Sequence, residues 1–184
     1  MICCLVRHGK DDDTIRGGWS TSPLTSEGIS QVHQLAANLQ ASRPSNLKTI
    51  YTSDLVRAKE TADILGSILN LPIIERPEFR ETNNGLLAGM ENKTAEAKYP
   101  GLYWSTLGWE QSYPDGESPC QFYYRIANAW HRLKEELRNV DHNIILVTHG
   151  GVINVIRCIE NGVPYTNKEH PYAIGNGEMF CIEI

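Results

Sequence analysis

The sequence predicts an α/β fold, a three-layer α/β/α sandwich with a mainly parallel sheet and one antiparallel strand near the end. Two observations predict it. Short apolar runs alternate along the chain with stretches whose apolar residues recur at helical spacing, and strands separated by helices imply a parallel sheet covered on both faces. The tail Tyr172–Ile184 carries Asn176-Gly177, a turn signal, and then a last strand. At 184 residues the chain suits one domain, 1–184, with a single core.

Each element has its own signature. Ile2–Val6 is an unbroken apolar run ending at Arg7-His8-Gly9, as expected of a strand buried on both faces. Thr25 is placed to cap a helix whose inward face carries Ile29, Val32, Ala36 and Leu39. Thr49–Tyr51 reads as a second strand, followed by a helix that Ser53 would cap, with Ala58, Ala62 and Leu65 inward. Leu71–Ile74 is the third strand. From about 82 to 119 the pattern is irregular, with Tyr103, Trp104, Trp109 and Tyr113 among glycines and prolines; long irregular segments in compact domains often form lids, and a lid or insert is expected here. Ser118-Pro119 with Gln121 makes a capping box, and Phe122, Ile126, Ala129, Leu133 and Leu137 form the buried stripe that follows. Asn143–Thr148 is the next strand, and His149-Gly150-Gly151 opens a helix through Val155 and Ile159.

Composition excludes some classes of function. The net charge of −5 leaves no basic surplus for nucleic-acid backbones, so no nucleic-acid partner is expected. No stretch approaches the length that spans a bilayer, and Met1–Val6 lacks a basic leader, so no membrane partner and a cytoplasmic location are expected. The five cysteines form no C-x-x-C pair and read as reduced, mostly buried thiols. His33, His131, His142 and His170 form no pair at metal-ligand spacing and read as surface or scaffold residues.

Ligands of parallel sheets bind at the carboxyl ends of strands. Arg7-His8-Gly9 and His149-Gly150-Gly151 both follow predicted strands, and Arg57 lies one turn into the helix after the second strand. Two imidazoles, two guanidinium groups and glycines that let backbone N–H groups approach closely suit a phosphate.

In this setting the chain resembles the histidine phosphatase superfamily, which includes the phosphoglycerate mutase-like proteins. The resemblance runs through Cys4-Leu5-Val6-Arg7-His8-Gly9, Gly18-Trp19-Ser20-Thr21-Ser22-Pro23-Leu24-Thr25 and Glu27-Gly28. It continues through Tyr51-Thr52-Ser53-Asp54-Leu55-Val56-Arg57-Ala58, Arg80-Glu81, Pro114-Asp115-Gly116-Glu117-Ser118 and Val147-Thr148-His149-Gly150-Gly151, in order over nearly the whole chain. The resemblance implies catalytic roles for His8, as a nucleophile that becomes a phosphohistidine, and for Glu81, as the acid and base at the leaving oxygen. Arg7, Arg57 and His149 would bind the phosphate. An acid working near neutrality needs a raised pKa, which Leu86, Leu87 and Met90 are placed to supply.

After Gly9 the run Lys10-Asp11-Asp12-Asp13-Thr14 departs from the family pattern. Thr14 takes the place of a phosphate-binding asparagine and could donate one hydrogen bond to the phosphate. The aspartates read as a solvated turn whose carboxylates point outward or pair with Lys10 and Arg16; the alternative is recognition of a cationic part of the substrate or of a bridging metal. Glu117 and Ser118 read as scaffold. The expected function is hydrolysis of a small phosphate monoester, with no cofactor, no metal, a small-molecule phosphate ester as partner, and a monomer or homodimer as the assembly. Phosphoglycerate mutase-type transfer, a metal-dependent hydrolase and a non-catalytic phospho-ligand binding module are the competing readings. The short chain favours hydrolysis over the mutase reading.

Overall fold

A computed structural model describes residues 1–42 and 46–184. Five strands form one sheet: β1 (Ile2–Arg7), β2 (Leu47–Thr52), β3 (Ile73–Glu75), β4 (Asn143–Thr148) and β5 (Met179–Glu183). Their order is β3-β2-β4-β1-β5, and every neighbouring pair is parallel except β1 with β5. The helices are α1 (Ser26–Ser42), α2 (Val56–Leu69), α3 (Asn92–Lys98), α4 (Pro119–Leu137) and α5 (Gly150–Glu160).

Alternation along β1 sorts its side chains between two cores. Cys4 and Val6 pack with Val32, Ala36 and Leu39 of α1 and Ala58, Ala62 and Leu65 of α2. Cys3 and Leu5 pack with Phe122, Ile126 and Trp130 of α4 and Val152 and Ile156 of α5. The sheet is the middle layer of three. Burying one such large apolar side chain contributes about 1.5–3 kcal/mol, so these stripes set which face each helix turns inward. The capping box at α4 forms as expected: the Ser118 hydroxyl accepts from the Gln121 N–H, and the Gln121 side chain accepts from the Ser118 N–H.

Four expectations need correction. Ile29 is 42% exposed, and Leu35 joins the buried stripe of α1 instead. Ser53 does not cap α2, which begins at Val56 after Leu55; the serine hydroxyl bonds a histidine instead. The segment 82–119 is not wholly irregular, since it holds α3 and short 3-10 turns at Gly85–Leu87 and Trp104–Thr106. Cys4 and Cys181, directly opposed across the antiparallel β1–β5 pair, are joined by a disulfide, so the reading of reduced thiols fails for these two. A separation of 177 residues hides this pairing from the sequence; the register creates it by bringing the Cα atoms within 4.0 Å. Cys3, Cys120 and Cys158 are free thiols. Among the described residues no helix is long and apolar enough to cross a membrane.

Candidate active site

The register of the two central strands builds the site. Arg7 of β1 lies opposite Thr148 of β4, so the next residue on each strand, His8 and His149, emerges side by side at the carboxyl edge. Their rings lie 5.0 Å apart between centroids. On the other side of β4, the Ser53 N–H donates to the Val147 carbonyl, which sets Ser53 beside His149.

His8 is held in one tautomer. Its Nδ1 lies 2.7 Å from the Gly9 carbonyl oxygen, which can only accept, so Nδ1 carries the hydrogen. Nε2 then keeps its lone pair and accepts from Arg57 Nε at 3.2 Å. Burial, chiefly, and then the charge of Arg57 push the His8 pKa down to about 3, against the opposing pull of the Gly9 carbonyl. The ring is therefore neutral at neutral pH, with Nε2 unprotonated and its electron pair directed at Arg57. His149 is also held well below its ordinary pKa, by burial first and then by Arg57 and His8. Its Nε2 shares a hydrogen bond of 2.8 Å with the Ser53 hydroxyl.

Arg57 is almost wholly buried, at 2% exposure, and stays charged because its partners replace water. It donates to the Gly18 carbonyl at 2.7 Å and to the carbonyl and hydroxyl of Ser20 at 3.4 Å each. Asp11 adds an ion pair at 3.4 Å. Arg7 donates to the Ile174 carbonyl at 2.7 Å, which ties the segment before β5 to the histidine strand. The Asn176 side-chain amide also donates to the His8 carbonyl, at 3.2 Å.

Glu81 approaches from the loop after β3. Its two carboxylate oxygens accept from the Thr82 and Gly151 N–H groups, each at 3.1 Å. A Cβ on Gly151 would fall 2.5 Å from the carboxylate, so glycine there permits the approach. The Trp19 ring N–H (2.6 Å) and Arg125 (3.1 Å) hold the Glu81 carbonyl, and Arg125 is itself paired with Glu117 at 2.6 Å. The apolar wall of the Glu81 cavity is Tyr103, Trp104 and Tyr113, whereas Leu86 is 52% exposed.

Four of the expected binding and catalytic residues thus meet through β1, β4 and α2, and Glu81 lines a cavity with Arg7. Thr14 stands apart: its side chain is exposed, and its hydroxyl donates to Asp12 at 2.6 Å. Lys10 pairs with Glu27 at 2.8 Å and lies 4.0 Å from Asp13. Asp12 and Asp13 are exposed, as a solvated turn requires, but Asp11 turns inward to Arg57 and not to the expected Lys10 or Arg16. Ser53, expected as a helix cap, and Arg16, expected as a partner of the aspartates, instead bond His149 and pair with Glu96 respectively, and Arg125 carries no signal in the sequence. Ser53 was findable, since it follows a strand end as His149 does. A concavity of about 850 Å³ lies between α1 and Asn176–Met179, and none of Arg7, His8, Arg57, Glu81 and His149 line it, so chemistry rather than size locates the site. Among the described residues, no three His, Cys, Asp or Glu side chains are grouped so as to hold a metal ion.

A mostly parallel sheet that brings two imidazoles and two guanidinium groups to one edge defines an α/β protein with a cationic, histidine-lined edge. Comparison with known proteins narrows the class. Residues 3–184 match the model of the histidine phosphatase superfamily (branch 1). A metal-independent phosphoserine phosphatase of Arabidopsis thaliana is 31% identical, over 83% of this chain and 65% of its own length. A probable phosphoglycerate mutase GpmB of Yersinia pestis (strain Pestoides F) is 36% identical, over 87% of this chain and 74% of its own. The crystal structure of the α-ribazole phosphatase from Shigella flexneri superposes with a TM-score of 0.84 at 27% identity, covering 100% of this chain and 91% of the other. The chain belongs to the histidine phosphatase superfamily, whose members among its relatives are named as phosphatases and as mutases.

Proposed function

We propose that the protein hydrolyses a small phosphate monoester through a phosphohistidine on His8. The observation that carries this reading is the state of that ring: neutral, fixed through Nδ1, with the Nε2 lone pair beside Arg57 and the second histidine 5.0 Å away. Nε2 attacks phosphorus as the bond to the ester oxygen breaks. Arg7, Arg57 and His149 hold the non-bridging oxygens, and Glu81 gives its proton to the departing alcohol. Glu81 then takes a proton from water, whose oxygen attacks phosphorus and releases phosphate and free His8. Dividing the reaction into two displacements is the logic of covalent catalysis, and preorganised positive charge supplies most of the rate. Thr14 has no role in this reading, because Asp12 occupies its hydroxyl. The segment 82–119 acts as the lid of the site, and the chemistry needs neither metal nor organic cofactor.

Phosphate release from a panel of phosphate esters, with His8→Ala as the blank, tests the proposal. The expected result is turnover undiminished by chelation, an acid-labile phosphoryl label on wild type, and none on His8→Ala. Arg57→Ala should lose roughly 10²–10³ in rate. Turnover retained in His8→Ala would overturn the reading. Isomer formation from phosphoglycerate without phosphate release would replace hydrolysis by mutase chemistry.

A further inference from the structure

Glu81 also borders a cavity of about 410 Å³ whose other walls include Arg16, Tyr103, Trp104, Tyr113 and His170. Because Glu81 is the group read above as protonating the leaving oxygen, this cavity is where the alcohol part of the ester goes. A three-carbon alcohol would leave most of it to water. Its walls are flat. Trp104 and Tyr113 lie nearly parallel, 16° apart in plane with centroids separated by 6.1 Å. The Arg16 guanidinium covers the Tyr103 ring at 4.3 Å.

Arg16 is the cation of this wall, and its charge is only partly answered. Its Nε is shielded from solvent and has no hydrogen-bond acceptor among the described residues. The carboxylate of Glu96 lies 3.7 Å away and already accepts from the Tyr103 hydroxyl at 2.5 Å. The backbone of Arg16 is pinned on both sides, its N–H donating to Met90 and its carbonyl accepting from Gly89, each at 2.8 Å. A fixed guanidinium beside aromatic faces is the chemistry that receives a planar ring carrying hydrogen-bond acceptors.

We infer that the natural ester carries such a ring on its alcohol, seated against Tyr103, Trp104 and Tyr113 with Arg16 at its edge. This inference rests on the phosphatase reading for its orientation. Ribose 5-phosphate, adenosine 5′-monophosphate and uridine 5′-monophosphate release the same primary alcohol oxygen and differ in the ring, so intrinsic reactivity cancels in the comparison. Wild type should show kcat/KM at least ~10-fold higher for the two ring-bearing esters, chiefly through KM, since one stacked ring is commonly worth that much. Tyr103→Ala, a change at a side chain 39% exposed, and Arg16→Gln should each bring the ratio toward one. Equal kcat/KM for all three esters would overturn the inference, as would a ratio that survives both substitutions. If wild type releases phosphate from none of them, the phosphatase reading fails by itself. Calorimetric binding to His8→Ala then decides the pocket: tighter binding of the nucleotides than of ribose 5-phosphate, lost in Tyr103→Ala, sustains it, and equal binding ends it.

Discussion

Ser53 shows how a small residue sets the chemistry of a larger one. His149 is wholly buried, its Nδ1 has no hydrogen-bond partner among the described residues, and the Ser53 hydroxyl is the group bonded to its other nitrogen. Removing that hydroxyl leaves a buried imidazole unsatisfied on both nitrogens, at a cost of about 1–3 kcal/mol. Ser53→Ala should therefore lower the melting temperature and reduce phosphate release together, because the ring that faces His8 loses its orientation. A melting temperature equal to that of wild type would show that Ser53 does not hold His149. At Asp11, burial, chiefly, raises the pKa above the ordinary value against the pull of Arg57, with which it pairs at 3.4 Å.

At the scale of elements, α1 is fastened to the histidine loop by backbone contact. The Lys10 carbonyl accepts from the Thr25 N–H at 2.9 Å, and the Thr25 hydroxyl accepts from the Gly28 N–H at 3.1 Å, as the N-cap expectation requires. Gly28 packs so closely on Lys10 that a Cβ would collide with the Lys10 carbonyl oxygen and lie 2.7 Å from its nitrogen. Gly28→Ala should thus destabilise the fold by about 1–3 kcal/mol, read as a lower denaturation midpoint, and disturb the backbone that fixes His8 Nδ1. An unchanged midpoint would mean that α1 can shift without cost. The apolar runs of β1 and β4 and the stripe of α4 were plain in the sequence, because local hydrophobic pattern alone marks them for burial. The structure of 82–119 was not. Helix α3 buries only Ala95 and so has no apolar stripe to announce it.

For the whole molecule, the two buried histidines tie stability to pH. Each has a folded-state pKa below its ordinary value of 6.5, so between about pH 6.5 and the folded value the unfolded chain binds protons that the folded chain refuses. Stability should be fully present above about pH 6.5 and fall as the pH is lowered, by about 1.4 kcal/mol per pH unit for each imidazole, a loss that continues for His8 down to its folded value of about 3. Melting curves from pH 7 to pH 5 should show this slope in wild type and a shallower one in His8→Ala. Identical slopes would mean that His8 is not held neutral by the fold. The same burial that penalises the charged ring keeps Nε2 unprotonated, so the stability cost at low pH and the proposed nucleophilic role of His8 have one cause.

The sequence by itself determined the alternation of strands and helices, the strand ends that carry His8 and His149, and the family. Those depend on local periodicity and on contiguous motifs. Tertiary structure decided the rest. Parallel register set the two histidines side by side, antiparallel register joined Cys4 to Cys181, and loop packing turned Asp11 toward Arg57 and gave Glu81 its aromatic cavity. Each of these joins residues distant along the chain or a loop turned by its packing, and their meeting depends on how strands align and how loops cross the sheet edge, which no local pattern of residues encodes.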